Sequence, residues 1–253
     1  MSSRRERDKR REERLRAETT VSAEDRRARL LQMAAGAVFL VVAVVLVLIV
    51  VNASSSDGGG DTELEGVAEV NRHLEGIPQQ GLVLGDPRAP VELVEFGDLQ
   101  CPVCAGYAEE ILPPLIEGPV AQGQVKIDFR NYTIIGPQSA SAGAAALAAG
   151  EQRRGWNFLE IFYRNQGGEN SGFADDAFLK AVAEAAGVQD LAKWSKDRTD
   201  LLKEVESTTA QAQDLGLTGT PSFAIKGPST DGLEAIGTPE STEALEEAIN
   251  EAS

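Results

Sequence analysis

The chain of 253 residues contains two cysteines, and they stand together as Cys101-Pro102-Val103-Cys104. Thiols at this spacing reach one another with little backbone movement, so the pair suits alternation between dithiol and disulfide. A proline directly after the first cysteine fits the first position of a helix, where no backbone N–H is needed. Cys101 then falls at the helix cap, where unpaired N–H groups and the positive end of the dipole stabilise a thiolate. Cys101, exposed at that cap, is the expected nucleophile, and Cys104, one turn inward and shielded, the resolving thiol. Two other uses of the pair compete with this one. A structural zinc site needs four ligands, and the chain offers two cysteines and the single His73, so no metal is expected. A purely structural disulfide across so small a loop would remove little chain entropy.

Three further positions bear on the pair. Glu95 lies on the apolar run that leads to Cys101, and strand alternation turns it away from Val94 and Phe96. A carboxyl there could exchange protons with Cys104, although an exposed strand residue would read the same way. Asp98 reads as a turn residue, and an anion so close would raise a thiol pKa. Thr220-Pro221, just ahead of a short apolar run, is restricted to extended geometry before the proline, and X-Pro is the peptide bond for which the cis form is cheap.

The elements that must position these residues follow from the pattern. Val91–Phe96 is a strand, Cys101 to about Glu117 a helix, and Val125–Arg130 an alternating second strand, giving a βαβ unit with the cysteines at its first junction. Residues from about 137 to 214 are helical and alanine-rich, with breaks near Gly167-Gly168 and Gly187. Ser222–Ile225 and Glu234–Ile236 are short strands, and Thr242–Ala252 is a last helix capped by Ser241.

Residues 34–51 form 18 consecutive apolar or small residues without a charge, enough with Leu30, Leu31 and Met33 to cross a bilayer core. Of the chain's 24 Lys/Arg and 40 Asp/Glu, 11 and 7 fall in residues 1–33, leaving 13 and 33 for the rest. The basic excess of residues 1–33, with Arg26, Arg27 and Arg29 at the apolar edge, predicts a cytoplasmic leader and a retained signal anchor. A leader cleaved near Val51-Asn52-Ala53 is the alternative. Residues 52–80 read as a flexible tether and a short pre-domain segment, with His73 on a surface helix. Residues 81–253 read as one acidic domain, unsuited to nucleic acid or anionic lipid.

Three stretches make the chain resemble the membrane-anchored, DsbA-like branch of the thioredoxin-fold superfamily: LGDPRAPVELVEFGDLQCPVC (84–104), RRGWNFLEIFYRNQ (153–166) and GTPSFAIKG (219–227). The resemblance spans roughly residues 81–250. It implies an α/β thioredoxin fold with a helical insertion, here about 137–214, preceded by one transmembrane helix. It implies further that Pro221 is cis and faces the Cys101–Cys104 pair, that the Thr220 backbone pairs with an extended substrate, and that Glu95 is the buried acid beneath the cysteines. Arg130 would occupy the position of that acid's basic partner. Trp156, Phe158, Ile161 and Phe162 are expected to be helix-core residues.

The departure is Val103. The strongest oxidants of the family carry histidine there, and valine supplies no charge to hold the Cys101 thiolate, so a less depressed pKa and a less oxidising couple are expected. The function implied is a membrane-tethered thiol–disulfide oxidoreductase without a cofactor. Its partners would be secreted or cell-surface protein thiols or disulfides and a membrane redox protein that recharges the pair. A reductase or isomerase, or a non-catalytic client-binding module with a structural disulfide, are the alternatives.

Overall fold

A computed structural model describes residues 63–253. The leader, the apolar segment 34–51 and residues 52–62 lie outside the described residues. No helix among the described residues is long and apolar enough to cross a membrane.

A six-stranded mixed sheet forms the centre. Its strands are β1 (Gln79–Gln80), β2 (Val83–Leu84), β3 (Val91–Gly97), β4 (Val125–Asn131), β5 (Ser222–Lys226) and β6 (Glu234–Gly237), in the order β1-β2-β4-β3-β5-β6. β3 lies in the middle, parallel to β4 and antiparallel to β5. Six of its seven residues are buried because both faces of the sheet are covered. β4 alternates strictly, with Val125, Ile127, Phe129 and Asn131 turned into the core.

Register sorts the charged residues of these strands by face. Glu92, Val94 and Phe96 pair with Lys126, Asp128 and Arg130, whereas Leu93 and Glu95 pair with Ile127 and Phe129 on the opposite side. Arg130 is therefore not the partner of Glu95, contrary to the expectation from resemblance. Its guanidinium reaches Glu92 at 3.1 Å and Asp128 at 2.7 Å, donates to Gln211 Oε1 at 3.0 Å and lies 5.9 Å over the Phe96 ring.

The helix carrying the cysteines is continuous but irregular. It begins as α2 (Pro102–Gly106), widens into a π turn over Tyr107–Ile111, returns to α form as α3 (Leu112–Leu115) and widens again over Ile116–Val120. Pro113, Pro114 and Pro119 supply no N–H and crowd the carbonyls one turn back, which accounts for the altered hydrogen bonding beside them.

Between β4 and β5 the chain inserts α4 (Pro137–Gly150), α5 (Gly155–Arg164), α6 (Asp176–Ala185) and α7 (Leu191–Asp214). These four helices run from residue 137 to residue 214. Gly150 and Gly155 approach the backbone of Gly81 so closely that a Cβ on either would stand 2.7 and 2.5 Å from its carbonyl oxygen. Trp156 and Trp194 are buried, and each indole N–H donates to a backbone carbonyl, Leu82 at 2.7 Å and Ala145 at 2.9 Å. Trp156, Phe158, Ile161 and Phe162 all lie in the main core. The chain closes with α8 (Thr242–Ala252), whose cap Ser241 accepts the Ala244 N–H.

Residues 63–80 belong to this body rather than preceding it. Helix α1 (Val67–His73) buries Val70, Leu74 follows it into the core, and Asn71 and Gln79 hydrogen-bond to the α5 residue Asn157 at 2.7 and 2.8 Å. His73 is consequently more covered than a surface residue, its side chain 14 % exposed with Nδ1 3.3 Å from Glu117.

Candidate active site

Cys101 is the N-cap of α2, with extended backbone (φ −78°, ψ 118°), and Pro102 occupies the first helical position. The turn before it is built by Asp98. The Asp98 carbonyl accepts the Cys101 N–H at 2.9 Å. Its carboxylate accepts the N–H groups of Gln100, Ile134 and Ile135 at 2.9, 2.9 and 3.0 Å. Asp98 is thus a turn residue, and a fully buried one that ties the cysteine loop to the segment after β4.

Both cysteines are present as thiols. Cys101 Sγ accepts the Cys104 N–H at 3.5 Å and lies 3.3 Å from the Thr220 carbonyl oxygen, to which its S–H donates. The Thr220–Pro221 peptide is cis, and the loop before β5 meets Cys101 at this contact. That cover explains one difference from expectation: Cys101 is only 5 % exposed, while Val103 beside it is 53 % exposed. Cys104 is fully buried.

The electrostatics of the two sulfurs diverge. Cys101 is lowered from 9.0 to about 6, first by the hydrogen bond that the Cys104 side chain donates to it. The Thr220 side chain and the backbone N–H groups of Cys104 and Val103 add to this, against the opposing effect of burial. Hydrogen bonding alone therefore depresses the Cys101 value, without a charge at position 103. Cys104 is raised well above 9.0, chiefly by burial, then by the hydrogen bond to Cys101 and the nearby Glu95 and Cys101 charges. At neutral pH one sulfur is a thiolate and the other keeps its proton.

Glu95 is 2 % exposed, and its Oε1 has no hydrogen-bond partner. Burial raises it to about 8, with Glu160 and Cys101 contributing. Glu95 is thus a buried carboxyl whose charge is felt at Cys104, and no cation is among the causes of its shift. Glu160, on α5, is likewise 2 % exposed and raised to about 8. Sequence reading passed over Glu160. It also passed over Gln166, whose side-chain N–H donates to the carbonyls of Leu99 at 2.7 Å and Cys101 at 3.1 Å, and Gln100, which donates to Ser139 and accepts the Asn170 N–H. Both glutamines tie the cysteine loop to the helical insertion. Glu160 and Gln166 lie within the 153–166 stretch noted above as a motif.

Such a pair, with a stabilised outer thiolate, a protonated inner thiol and an acid behind it, on a β3–α2 junction facing a cis-proline loop, defines a thiol–disulfide oxidoreductase of thioredoxin fold. The chain belongs to the thioredoxin family whose model matches residues 78–251. Two relatives resemble it in sequence. One is the probable disulfide bond formation protein D of Bacillus cereus, 33 % identical over 149 residues, covering 57 % of this chain and 69 % of that protein. The other is disulfide bond formation protein D of Bacillus subtilis, 26 % identical over 147 residues, covering 56 % and 66 %. Among solved structures, oxidised BdbD from Bacillus subtilis superposes with a TM-score of 0.60 at 22 % identity, covering 70 % of this chain and 97 % of that one. A thioredoxin-like oxidoreductase from Silicibacter pomeroyi gives 0.55 at 29 % identity, covering 67 % and 90 %.

Proposed function

We propose that this protein is a membrane-tethered disulfide oxidase that forms disulfides in exported proteins outside the cytoplasm through the Cys101-Pro-Val-Cys104 pair. Residues 34–51 serve as a retained signal anchor with residues 1–33 in the cytoplasm, and residues 52–62 are a tether to the catalytic domain. The names of the Bacillus relatives support disulfide formation as the reaction, and the apolar run supports the tether.

The observation that carries the direction is the opposition between the two sulfurs. In the oxidised protein a substrate thiolate attacks Cys101 Sγ, forming a substrate–Cys101 disulfide and breaking the Cys101–Cys104 bond. The electron pair goes to Cys104 Sγ. A thiolate there is disfavoured by burial, so the leaving sulfur takes the proton of the Glu95 carboxyl. A second substrate thiol, deprotonated, then attacks its partner sulfur. Cys101 departs as the stabilised thiolate, the substrate is oxidised by two electrons and the protein is left as the dithiol. The Thr220 backbone beside Cys101 offers the edge along which an extended substrate segment aligns, with Pro221 against the pair. A membrane redox partner reoxidises the dithiol.

Reoxidation of reduced ribonuclease tests this reading: activity is expected in wild type and absent in Cys101→Ser. Equal behaviour of the two would leave only a client-binding module. The uncharged Val103 favours the reducing direction as the second reading, and the in-cell redox state separates them. Thiol alkylation and gel shift should find the pair mostly oxidised; a mostly reduced pair means a reductase or isomerase.

A further inference from the structure

We infer that residues 237–242, between β6 and α8, form a strap that keeps the Thr220–Pro221 loop in place while Cys101 is in the disulfide, and that Thr238 and Tyr107 are positioning residues for a peptide substrate. This rests on the oxidase reading above.

Three hydrogen bonds define the strap. The Thr238 hydroxyl donates to the Pro221 carbonyl at 2.8 Å. Tyr107, in the π turn that continues the cysteine helix, donates from its hydroxyl to the Pro239 carbonyl at 2.6 Å. Thr242, the first residue of α8, donates to the carbonyl of Ile111, at the end of that π turn, at 2.8 Å. The strap is thus bonded to the proline loop at one point and to the cysteine helix at two. The sheet reinforces the link, since Gly237 pairs with Phe223 and the Phe223 ring lies 5.5 Å from that of Tyr107.

The proline loop has two other side-chain hydrogen bonds. Ser222 Oγ donates to the Gly219 carbonyl at 2.7 Å, which only closes residues 219–222 on themselves. The Thr220 carbonyl accepts the Cys101 S–H at 3.3 Å, which ties the loop to the cysteine helix. That second bond needs a proton on Cys101. In the disulfide the sulfur has neither a proton to donate nor a charge for a hydroxyl to meet. The disulfide is the form that a substrate thiolate attacks, so the loop loses its hold on Cys101 in the state that receives the substrate. The Thr238–Pro221 bond involves no sulfur and persists in both states. A loop released at this point would have to be ordered again on binding, at a cost in affinity. The strap therefore acts on the docking of a peptide backbone along Thr220, and the exchange chemistry of the sulfurs does not depend on it.

The test is reduction of the oxidised protein by a short extended cysteine peptide and, separately, by 2-mercaptoethanol, which has no backbone to align. Samples are acid-quenched, and the rate per thiolate is followed against thiol concentration. In wild type the peptide rate should saturate, whereas the 2-mercaptoethanol rate should rise linearly. Thr238→Val removes the hydroxyl and keeps the shape of the side chain. It should raise the half-saturating peptide concentration about two- to tenfold, the equivalent of one neutral hydrogen bond, with the limiting rate unchanged. Tyr107→Phe, which keeps the ring against Phe223, should act in the same direction. Because both residues belong to one strap, the double variant should fall short of the product of the single effects. Thr238→Ser, which restores the donor, should return toward wild type. The 2-mercaptoethanol rate should hold at its wild-type value throughout, which general loosening of the domain would not allow. If both single variants leave the half-saturating concentration in place, or slow the two thiols alike, the strap inference is overturned and the oxidase reading stands. If the wild-type peptide reacts no better than 2-mercaptoethanol, Thr220 fails as a docking edge, and the inference with it. A measurement on oxidised wild type alone provides a second check. The ¹⁵N order parameters of Thr220 and Ser222 should stay near the rigid-backbone value of about 0.85, and values below about 0.6 would overturn the inference.

Discussion

Replacing Cys104 with alanine should raise the Cys101 pKa markedly, because the leading cause of its depression is the hydrogen bond from the Cys104 side chain. A hydrogen bond to a charged group contributes about 1.5–3 kcal/mol. At about 1.4 kcal/mol per unit, its loss moves the titration from about 6 to about 7–8. The thiolate fraction at pH 7 then falls from about 90 % to between about 50 % and 10 %. The backbone N–H groups of Val103 and Cys104 and the Thr220 side chain remain, which is why full return to 9.0 is not expected. Two assays read this, the 240 nm thiolate absorbance and the rate of iodoacetamide alkylation. Nucleophilicity per thiolate rises with pKa at a Brønsted slope of about 0.4–0.5, so alkylation at pH 6 should slow only about two- to sixfold. Above pH 9 the same variant should react faster than wild type, so the two rate profiles cross. Cys104→Ser, which keeps a donor, should stay near wild type. A midpoint still near 6 in Cys104→Ala would refute the assignment and leave the helix terminus as the source of the low value.

Three other outcomes follow from the same geometry. Glu95 and Glu160 have folded-state values near 8 against an ordinary 4.5, so the stability they contribute is fully present below about 4.5 and lost as pH rises through about 8. In urea unfolding of the oxidised protein, Glu95→Gln or Glu160→Gln should therefore gain on wild type between pH 5 and 8, by at most about 1.4 kcal/mol per pH unit per carboxyl; a pH-independent difference would contradict this. Val103→Lys puts a cation on the exposed first turn of α2. It should lower the Cys101 midpoint, and a half-unit shift would make the couple about 15 mV more oxidising against glutathione; an unchanged midpoint would show that position 103 does not act on the thiolate. Arg130→Met removes the hydrogen-bonded cation of Asp128 and leaves Glu92 with Lys126 alone at 3.6 Å, and should cost about 1–3 kcal/mol in urea unfolding while leaving the Cys101 titration in place, because Arg130 is on the other face of the sheet; a shifted titration would dispute that placement.

Much of the site is legible from short-range pattern. Cys-Pro-x-Cys announces a capped helix, the apolar run before it a central strand, and Thr-Pro ahead of a second run the facing loop. These are local signals, and the structure brings them together as expected. The misassigned position of Arg130 has a different origin. Alternation along β4 separates Asp128 and Arg130 from Ile127 and Phe129, but only the register against β3 decides which set shares a face with Glu95. Register is a long-range property and no residue near Arg130 encodes it. Likewise β1 and β2, two residues each, are too short to display a period of two.

Glu160 was hidden for a more instructive reason. On α5, Asn157, Glu160 and Arg164 recur at helical spacing among Trp156, Phe158, Leu159, Ile161 and Phe162, the usual mark of a stripe facing water. In the structure every residue from Gly155 to Tyr163 is buried. The cover comes from the segment that composition marks as a mere approach to the domain. Asn71 and Gln79 engage Asn157, and Glu69 engages Arg164, while the irregular helix after the cysteines brings Glu109 toward Glu160. The outer two polar residues of the stripe find partners on residues 63–80, and the middle one, Glu160, is buried between them. A carboxyl that helical periodicity assigns to solvent is thus buried in the core because residues 63–80 fold over α5.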